Sequence, residues 1–405
     1  MYNDKIEIES PYGHITISYG RHDKHRVRVL DIDGGMESAT YIEEELQNEL
    51  LFEYMYLFDL MFDENYLEDR QINDVLLIGG GAFHYPKYFL AHHQGNIDVV
   101  EINKVLYDIS NKYFYLEETI NKFNKNKNRF HCYFENGRDY INRNKKKYDA
   151  ILSDVFIGEN LVLELHSLEA IKRIKESLNP QGIYITNIIG SLSGKYSQNI
   201  KNVVKTLKQC FKYTYVFKAQ EKNEHQKRQN LIVVAVDQEV HFNIVSYHNI
   251  NQKRYHQGMI NHVDDIDYTN GHILRDKKRK EFADKYAKQM SVKMVDVNQF
   301  VSNLSGGNKQ KVVLARWIGK DSDIVVLDSP TRGIDIKVKQ DIYQLMNQMR
   351  KNGKSIIMIS EELMELIGMC DRIYIMCQGR ITGCLNRDEF SQETIMKYAT
   401  NLMNL

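Results

Sequence analysis

The stretch VLLIGGGAFHYPKYFL, residues 75–90, sets Gly79, Gly80 and Gly81 directly between an apolar run of strand character and a segment of helical character. Glycine at such a junction lets the backbone turn tightly and come close to a ligand, while the helix start offers unpaired N–H groups. Glu101, in NIDVVEI, follows about twenty residues later, where an acid can accept both hydroxyls of a ribose. Asp139 in ENGRDYI stands where a carboxylate can take an adenine amino group. Asp154 closes YDAILSD and faces the same crevice outside the carboxyl ends of the strands. Each feature also has a plainer meaning. Three glycines can form a packing turn, and strand-end acids can face water. His84, His92 and His93 are expected on a helix surface rather than as ligands.

A second constellation lies far downstream. NLSGGNKQKVVLARWI opens a helix on Ser305, Gly306 and Gly307, whose N–H groups and helix dipole can face a phosphate. IVVLD, residues 324–328, is an apolar strand ending on the acid Asp328.

Several elements must position these residues. In 405 residues, Lys plus Arg and Asp plus Glu number 54 each, so no net charge draws the chain toward nucleic acid or an anionic membrane. Lys122 to Lys147, rich in Lys and Asn, reads as a solvated loop rather than a nucleic-acid patch. No apolar run approaches the roughly 20 residues of a membrane helix, and the alternating N-terminus reads as a strand rather than a signal peptide. A cytoplasmic chain, with membrane association only through a partner, is expected. Five cysteines form no CxxC pair, and no metal site is expected.

KIEIES, HITISYG and RVRVLDIDGG predict a small antiparallel sheet, and residues 41–62 carry apolar residues at helical spacing. From residue 74, strands and helices alternate: DVLLIGG, NIDVVEI, RFHCYFEN, YDAILSDVF, GIYITNII and YTYVFKA, with NLIVVAV closing the sheet. FIG after Asp154 reads as a loop over the crevice. The alternation predicts a doubly wound, parallel α/β fold. The periodicity fades between 241 and 276, and RDKKRKEFADK marks a junction. The divisions expected are 1–70, an N-terminal β-hairpin and helix region; 71–276, the doubly wound domain; and 277–405, a second α/β part.

SPYG, LDIDGGMES, the GGG loop, VVEIN, NGRDYI, SDVF and LNPQGIYITN together resemble the spermidine synthase branch of the S-adenosylmethionine-dependent methyltransferase fold over roughly residues 7–276. The resemblance implies a Rossmann-like domain in which Gly79, Gly80, Gly81, Glu101 and Asp139 hold S-adenosylmethionine or its decarboxylated form. Asp154 would remove a proton from, or orient, an attacking amine or other small acceptor. Two positions depart from the family pattern: Ala82 replaces an Asp after the glycines, and Ile157 replaces a second Asp.

The downstream motifs, with SPTRGID, KSIIMISEEL, MCDRIYIMCQGRITG and IMKYAT, resemble the later half of the C-terminal cassette of sugar-importing ABC ATPases. By that likeness Ser305, Gly306 and Gly307 face the γ-phosphate of an ATP bound by an opposite cassette, and Asp328 holds magnesium through water. A cassette that binds its own triphosphate needs GxxxxGK[ST]. GSLSGKYS, from Gly190, is one residue short, carries Tyr196 where Ser or Thr is needed, and lies inside the first domain. Ser329 replaces the water-polarising glutamate and Glu361 the switch histidine. ATP hydrolysis by the chain alone is therefore not expected. The expected partners are an amine or other acceptor, a transporter cassette or permease, and a second copy in a homodimer.

Overall fold

A computed structural model of the chain describes residues 5–124, 129–157, 160–219, 226–242, 272–273, 275–320, 322–332 and 336–400. It divides into two compact units, Met1–Asp276 and Lys277–Leu405.

The first unit begins with a four-stranded antiparallel sheet in sequential order: β1 (Ile6–Ser10), β2 (Gly13–His22), β3 (His25–Ile32) and β4 (Gly35–Tyr41). Residues alternate across it, and Ile15, Ile17 and Leu30 pack against Ala82, Leu106, Ile109 and Phe114. Ala82 is thus buried beneath this sheet, where a carboxylate would have no water.

Residues 41–62, expected as an α-helix, instead form two 3₁₀ stretches, Glu44–Leu46 and Glu53–Phe62, followed by the short α1 (Glu64–Leu67). Every residue from Met55 to Met61 is buried, so the segment has no polar stripe to define a helical period. The acid within Met55–Met61, Asp59, accepts from the hydroxyls of Tyr85 at 2.7 Å and Tyr88 at 2.9 Å and pairs with His93 at 3.2 Å.

The central sheet contains β5 (Asp74–Ile78), β6 (Asn96–Val100), β7 (Phe130–Tyr133), β8 (Tyr148–Ser153), β11 (Leu178–Gly190), β12 (Tyr213–Lys218) and β13 (Gln229–Val236). Two-residue strands β9 (Phe156–Ile157) and β10 (Asn160–Leu161) form a small hairpin after Asp154. Around the sheet run α2 (His84–His92), α3 (Lys104–Tyr113), α4 (Leu116–Phe123), α5 (Gly137–Arg143), α6 (Leu168–Ser177) and α7 (Gln198–Leu207). Strand order is β12-β13-β11-β8-β5-β6-β7, with β11, β8, β5, β6 and β7 parallel.

NLIVVAV does not close this sheet. As β13 it runs antiparallel between β11 and β12, and YTYVFK forms the edge. Both faces are covered, so β5 and β8 read as unbroken apolar runs. Val75, Leu77, Leu152 and Ile185 belong to one core with the 3₁₀ segment and α2. Leu76, Ile78, Ile151 and Tyr184 belong to another with α6 and α7. The lysine-rich stretch is ordered over β7 and α5 rather than being one loop; residues 125–128 lie outside the described residues.

His84, expected at the surface, is buried and lies 2.8 Å through Nε2 from the carbonyl of Glu49. Burial pushes it down to about 3, so it is neutral and donates that bond. Lys87, one turn on, is fully buried too. Its ammonium donates to Thr40 Oγ1 at 3.1 Å and the Gln47 carbonyl at 2.8 Å, tying β4 to α2. Burial pushes its amine down to about 7.

In the second unit, α8 (Asp276–Gln289), whose first residue closes the first unit, leads to α9 (Gly306–Gly319), β14 (Ile324–Asp328), α10 (Ile336–Lys351), β15 (Ser355–Ile359) and α11 (Leu363–Met369). The antiparallel pair β16 (Arg372–Cys377) and β17 (Arg380–Asn386) and then α12 (Gln392–Ala399) follow. β14 and β15 pair in parallel, with Val326 opposite Ile357. One face packs Val325 and Leu327 on Ile342, Leu345 and Met349. The other leaves Val326 60 % and Ile357 54 % exposed, with Ile324 and Ile359 beside them. This sheet therefore shows an apolar face to solvent.

Candidate functional site

Parallel pairing puts the carboxyl tips of β5, β6, β7 and β8 in one row, through Ile78 opposite Ser153, Ile78 opposite Val100, and Val100 opposite Tyr133. The chain turns back on both sides of β5, so Gly79 and Asp154 meet where the strand order reverses. Gly79 N–H donates to the Val100 carbonyl and Asp154 N–H to the Ile78 carbonyl, each at 2.9 Å. Gly79 has φ +92°, and a Cβ there would lie 2.2 Å from the Asp154 carbonyl oxygen. Glycine is required at that position by both conformation and space.

Glu101 is buried at the tip of β6. One carboxylate oxygen accepts from Gly80 N–H at 2.8 Å and Gly81 N–H at 3.3 Å, the other from Asn103 N–H at 2.8 Å. Burial pushes its proton affinity up, and these backbone donors act against that. Three donors leave acceptor capacity on the carboxylate for a hydroxyl.

Asp139 lies in the first turn of α5, exposed, its N–H capped by Asn136, which also accepts from Arg138 N–H. The helix start is fixed by close packing: a Cβ on Gly137 would lie 2.5 Å from Ile78 Cγ2. Asp139 therefore belongs to the same end of the sheet as Gly79 and Glu101.

Asp154 is held by two groups that the sequence did not single out. Tyr54, in the 3₁₀ segment, donates its hydroxyl to Oδ2 at 2.8 Å. Asn187 in β11 donates Nδ2 to Oδ1 at 3.0 Å. Burial raises the carboxyl's proton affinity, and the two donors temper the rise. Together they fix an oriented carboxylate more basic than one in water. Tyr54 hid inside an apolar run, and Asn187 looked like an ordinary polar residue late in a strand. Phe156 and Ile157, after Asp154, form β9; residues 158–159 lie outside the described residues, and with them the rest of the loop expected over the crevice.

GSLSGKYS links β11 to α7 within the first unit. Its donors turn inward: Ser191 N–H to the Tyr196 carbonyl at 3.2 Å, Ser197 N–H and Oγ to the Gly194 carbonyl at 3.2 and 2.8 Å.

In the second unit, Ser305 and Gly306 are exposed at the start of α9, and a Cβ on Gly306 would meet nothing within 4 Å. Asp328 is exposed at the tip of β14, where Ser329 Oγ donates to it at 3.1 Å. Gln310 Nε2 donates to the Pro330 carbonyl at 3.2 Å, which joins the signature helix to the loop that follows Asp328. Glu365, missed in the sequence, is buried and accepts hydroxyls from Thr331, from Tyr343 at 2.8 Å and from Ser360 at 2.5 Å, tying the loops after β14 and β15 together.

The first unit is thus a Rossmann-like α/β domain with Glu101 and Asp154 at the carboxyl ends of its strands beside the Gly79–Gly81 loop, and the second carries a signature helix beside a strand-end aspartate. Residues 60–220 match the spermine/spermidine synthase domain, and residues 186–332 match the ABC transporter family, the two matches overlapping at 186–220. The chain joins a spermidine synthase-like domain to an ABC ATPase domain.

The ribose import ATP-binding protein of Clostridium perfringens is 50 % identical over 119 residues, which is 29 % of this chain and 24 % of that protein. The L-arabinose transport ATP-binding protein of Geobacillus stearothermophilus is 50 % identical over 118 residues, 29 % and 23 % of the two chains. The chain spans about a quarter of the length of these relatives. Among solved structures, a probable spermidine synthase from Corynebacterium glutamicum shares 18 % identity at a TM-score of 0.49, covering 58 % of this chain and 81 % of that one. Spermidine synthase from Thermotoga maritima shares 16 % at 0.44, covering 68 % and 86 %. Among the described residues, no helix is long and apolar enough to cross a membrane.

Proposed function

We propose that the first unit is a group transferase that binds a sulfonium nucleoside, S-adenosylmethionine or its decarboxylated form, and transfers carbon from it to an amine. The observation that supports this most is the Tyr54–Asp154–Asn187 arrangement at the switch point, beside the Gly79–Gly81 loop and Glu101. Glu101 would take the ribose hydroxyls with its remaining acceptor capacity, and Asp139 the adenine amino group. A bound cofactor would supply the electrophilic carbon on its sulfonium, the C–S bond breaking as the C–N bond forms and the nucleoside leaving as a neutral thioether. Asp154 receives a proton from the attacking nitrogen, and Tyr54 and Asn187 keep its carboxylate turned toward that nitrogen.

Thermal unfolding of the full chain with S-adenosylmethionine, its decarboxylated form and ATP side by side tests this. A specific ligand at 100 times its Kd stabilises by about 2.7 kcal/mol. One of the sulfonium nucleosides is expected to raise the midpoint, with Asp139→Ala weakening the effect. No shift with either would overturn the reading.

A second reading concerns Lys277–Leu405. The exposed apolar face of β14 and β15 and the open signature at Ser305–Gly307 support docking on a partner cassette of a transporter, with ATP and magnesium held mainly by that partner and Asp328 nearby. The chain would then sit at a membrane through its partner. Co-purification with an intact ATP-binding subunit, with ATP-dependent retention lost in Gly306→Asp, is the expected result. Retention equal in the variant would remove the signature from the interaction.

A further inference from the structure

Arg138 stands in the first turn of α5, next to Asp139, and the site described above gives its side chain no task. That side chain is only 14 % exposed, and its Nη2 lies 3.0 Å from Oδ2 of Asp276, itself 17 % exposed. The other terminal nitrogen, Nη1, is buried without a hydrogen-bond partner. A guanidinium so placed relies heavily on the carboxylate it faces, because removing that partner would leave a desolvated charge behind.

Asp276 is the last residue of the first unit and the first of α8. Its N–H donates to Glu169 Oε2, on α6, at 3.1 Å. Four residues earlier, His272 N–H donates to Asn202 Oδ1, on α7, at 2.7 Å. The end of the first unit is thereby fastened in turn to α7, α6 and α5. As an acid in the first turn, Asp276 also favours the start of α8 itself. Arg275, Lys277, Lys278, Arg279 and Lys280, on either side of this anchor, are all exposed.

The backbone that carries Arg138 carries Asp139 one residue on. Asn136 Oδ1 accepts from Arg138 N–H at 2.7 Å and from Asp139 N–H at 3.3 Å, while Asn136 Nδ2 donates to Glu164 Oε1 at 3.0 Å. Gly137 leaves no room for a Cβ against Ile78. The start of α5 is therefore gripped at its backbone by Asn136 and Gly137, and at the Arg138 side chain by Asp276. A displacement of Arg138 passes through a single peptide to Asp139.

We propose that Asp276 is a positioning residue for the nucleoside site: its pair with Arg138 holds Asp139 in place, so that occupancy of the site and order at the start of α8 are coupled. This rests on the transferase reading for what Asp139 holds. Such coupling is reciprocal. Whatever factor Asp276 contributes to nucleoside affinity, the bound nucleoside returns as protection of the first turn of α8.

Limited trypsin digestion of the full chain measures this, because cleavage within a helix turn requires that turn to open. Cuts after Lys278, Arg279 and Lys280 are followed by mass spectrometry with and without 5′-methylthioadenosine, whose affinity calorimetry gives. The ratio of the two rates within one variant cancels any effect of the substitution on trypsin itself. Saturating nucleoside is expected to slow these cuts about tenfold, within the roughly 5- to 150-fold span typical of coupled sites. Asp276→Ala should weaken the nucleoside by the same factor, and saturating nucleoside should then no longer slow the cuts. Asp276→Glu should recover part of both effects, and the charge exchange Arg138→Asp with Asp276→Arg should recover the protection. Slowing that persists in Asp276→Ala overturns the inference, as does nucleoside binding with no slowing in the unsubstituted chain; both leave the transferase reading intact. Weakening of the nucleoside that neither Asp276→Glu nor the charge exchange relieves overturns it too. No nucleoside binding to the unsubstituted chain sinks both.

Discussion

Asp154→Asn is expected to lower turnover at saturating substrates by about 10²- to 10⁴-fold, the range a positioned base supplies. Nucleoside affinity should be unchanged. The substitution keeps the size of the side chain and an oxygen that can accept from the Tyr54 hydroxyl, now 2.8 Å from Oδ2. It removes the atom that can take a proton. Because burial raises the proton affinity of Asp154, the carboxylate is a better acceptor than its solvated counterpart, and the amide has no equivalent. Single-turnover rates with preloaded nucleoside make the measurement, and thermal shift checks loading. If the variant turns over within tenfold of the original, Asp154 orients rather than accepts.

Gly79→Ala should be the most damaging single methyl group in the first unit. The new Cβ would sit 2.2 Å from a backbone oxygen, and the site's φ of +92° disfavours any side chain. Backbone strain of this kind costs about 1–3 kcal/mol, and the clash must also push β5 and β8 apart at their tips. A loss of about 3 kcal/mol lowers the midpoint by roughly 6–12 °C in a domain of this size. Gly81→Ala provides the contrast, since a Cβ there meets nothing within 4 Å although φ is +50°. It should cost about 1–2 kcal/mol. Equal midpoints for the two variants would show that the approach of Asp154 to Gly79 does not constrain the fold.

The sequence displayed what local pattern encodes. Apolar runs ending in Gly79, Glu101 and Asp154 became parallel strands whose tips share one end of the sheet, because burial on both faces leaves an unbroken signature. Partners brought in from a distance were not legible. Tyr54 reaches Asp154 from the 3₁₀ segment, where unbroken burial from Met55 to Met61 leaves no polar stripe to read. His84 looked like a surface residue since nothing local announces that the Glu49 carbonyl waits for its proton. The antiparallel place of β13 was likewise hidden, because an interior strand is apolar whichever way it runs.

The bond between Tyr54 and Asp154 joins positions 100 residues apart. Closing so long a loop carries an entropic penalty that only the assembled core can offset. On the transferase reading, Asp154 would be wired to a 3₁₀ segment brought in from far along the chain, and loosening of that segment alone would weaken turnover while the sheet stayed folded. Catalytic competence would then depend on the packing of a 3₁₀ stretch as much as on the sheet.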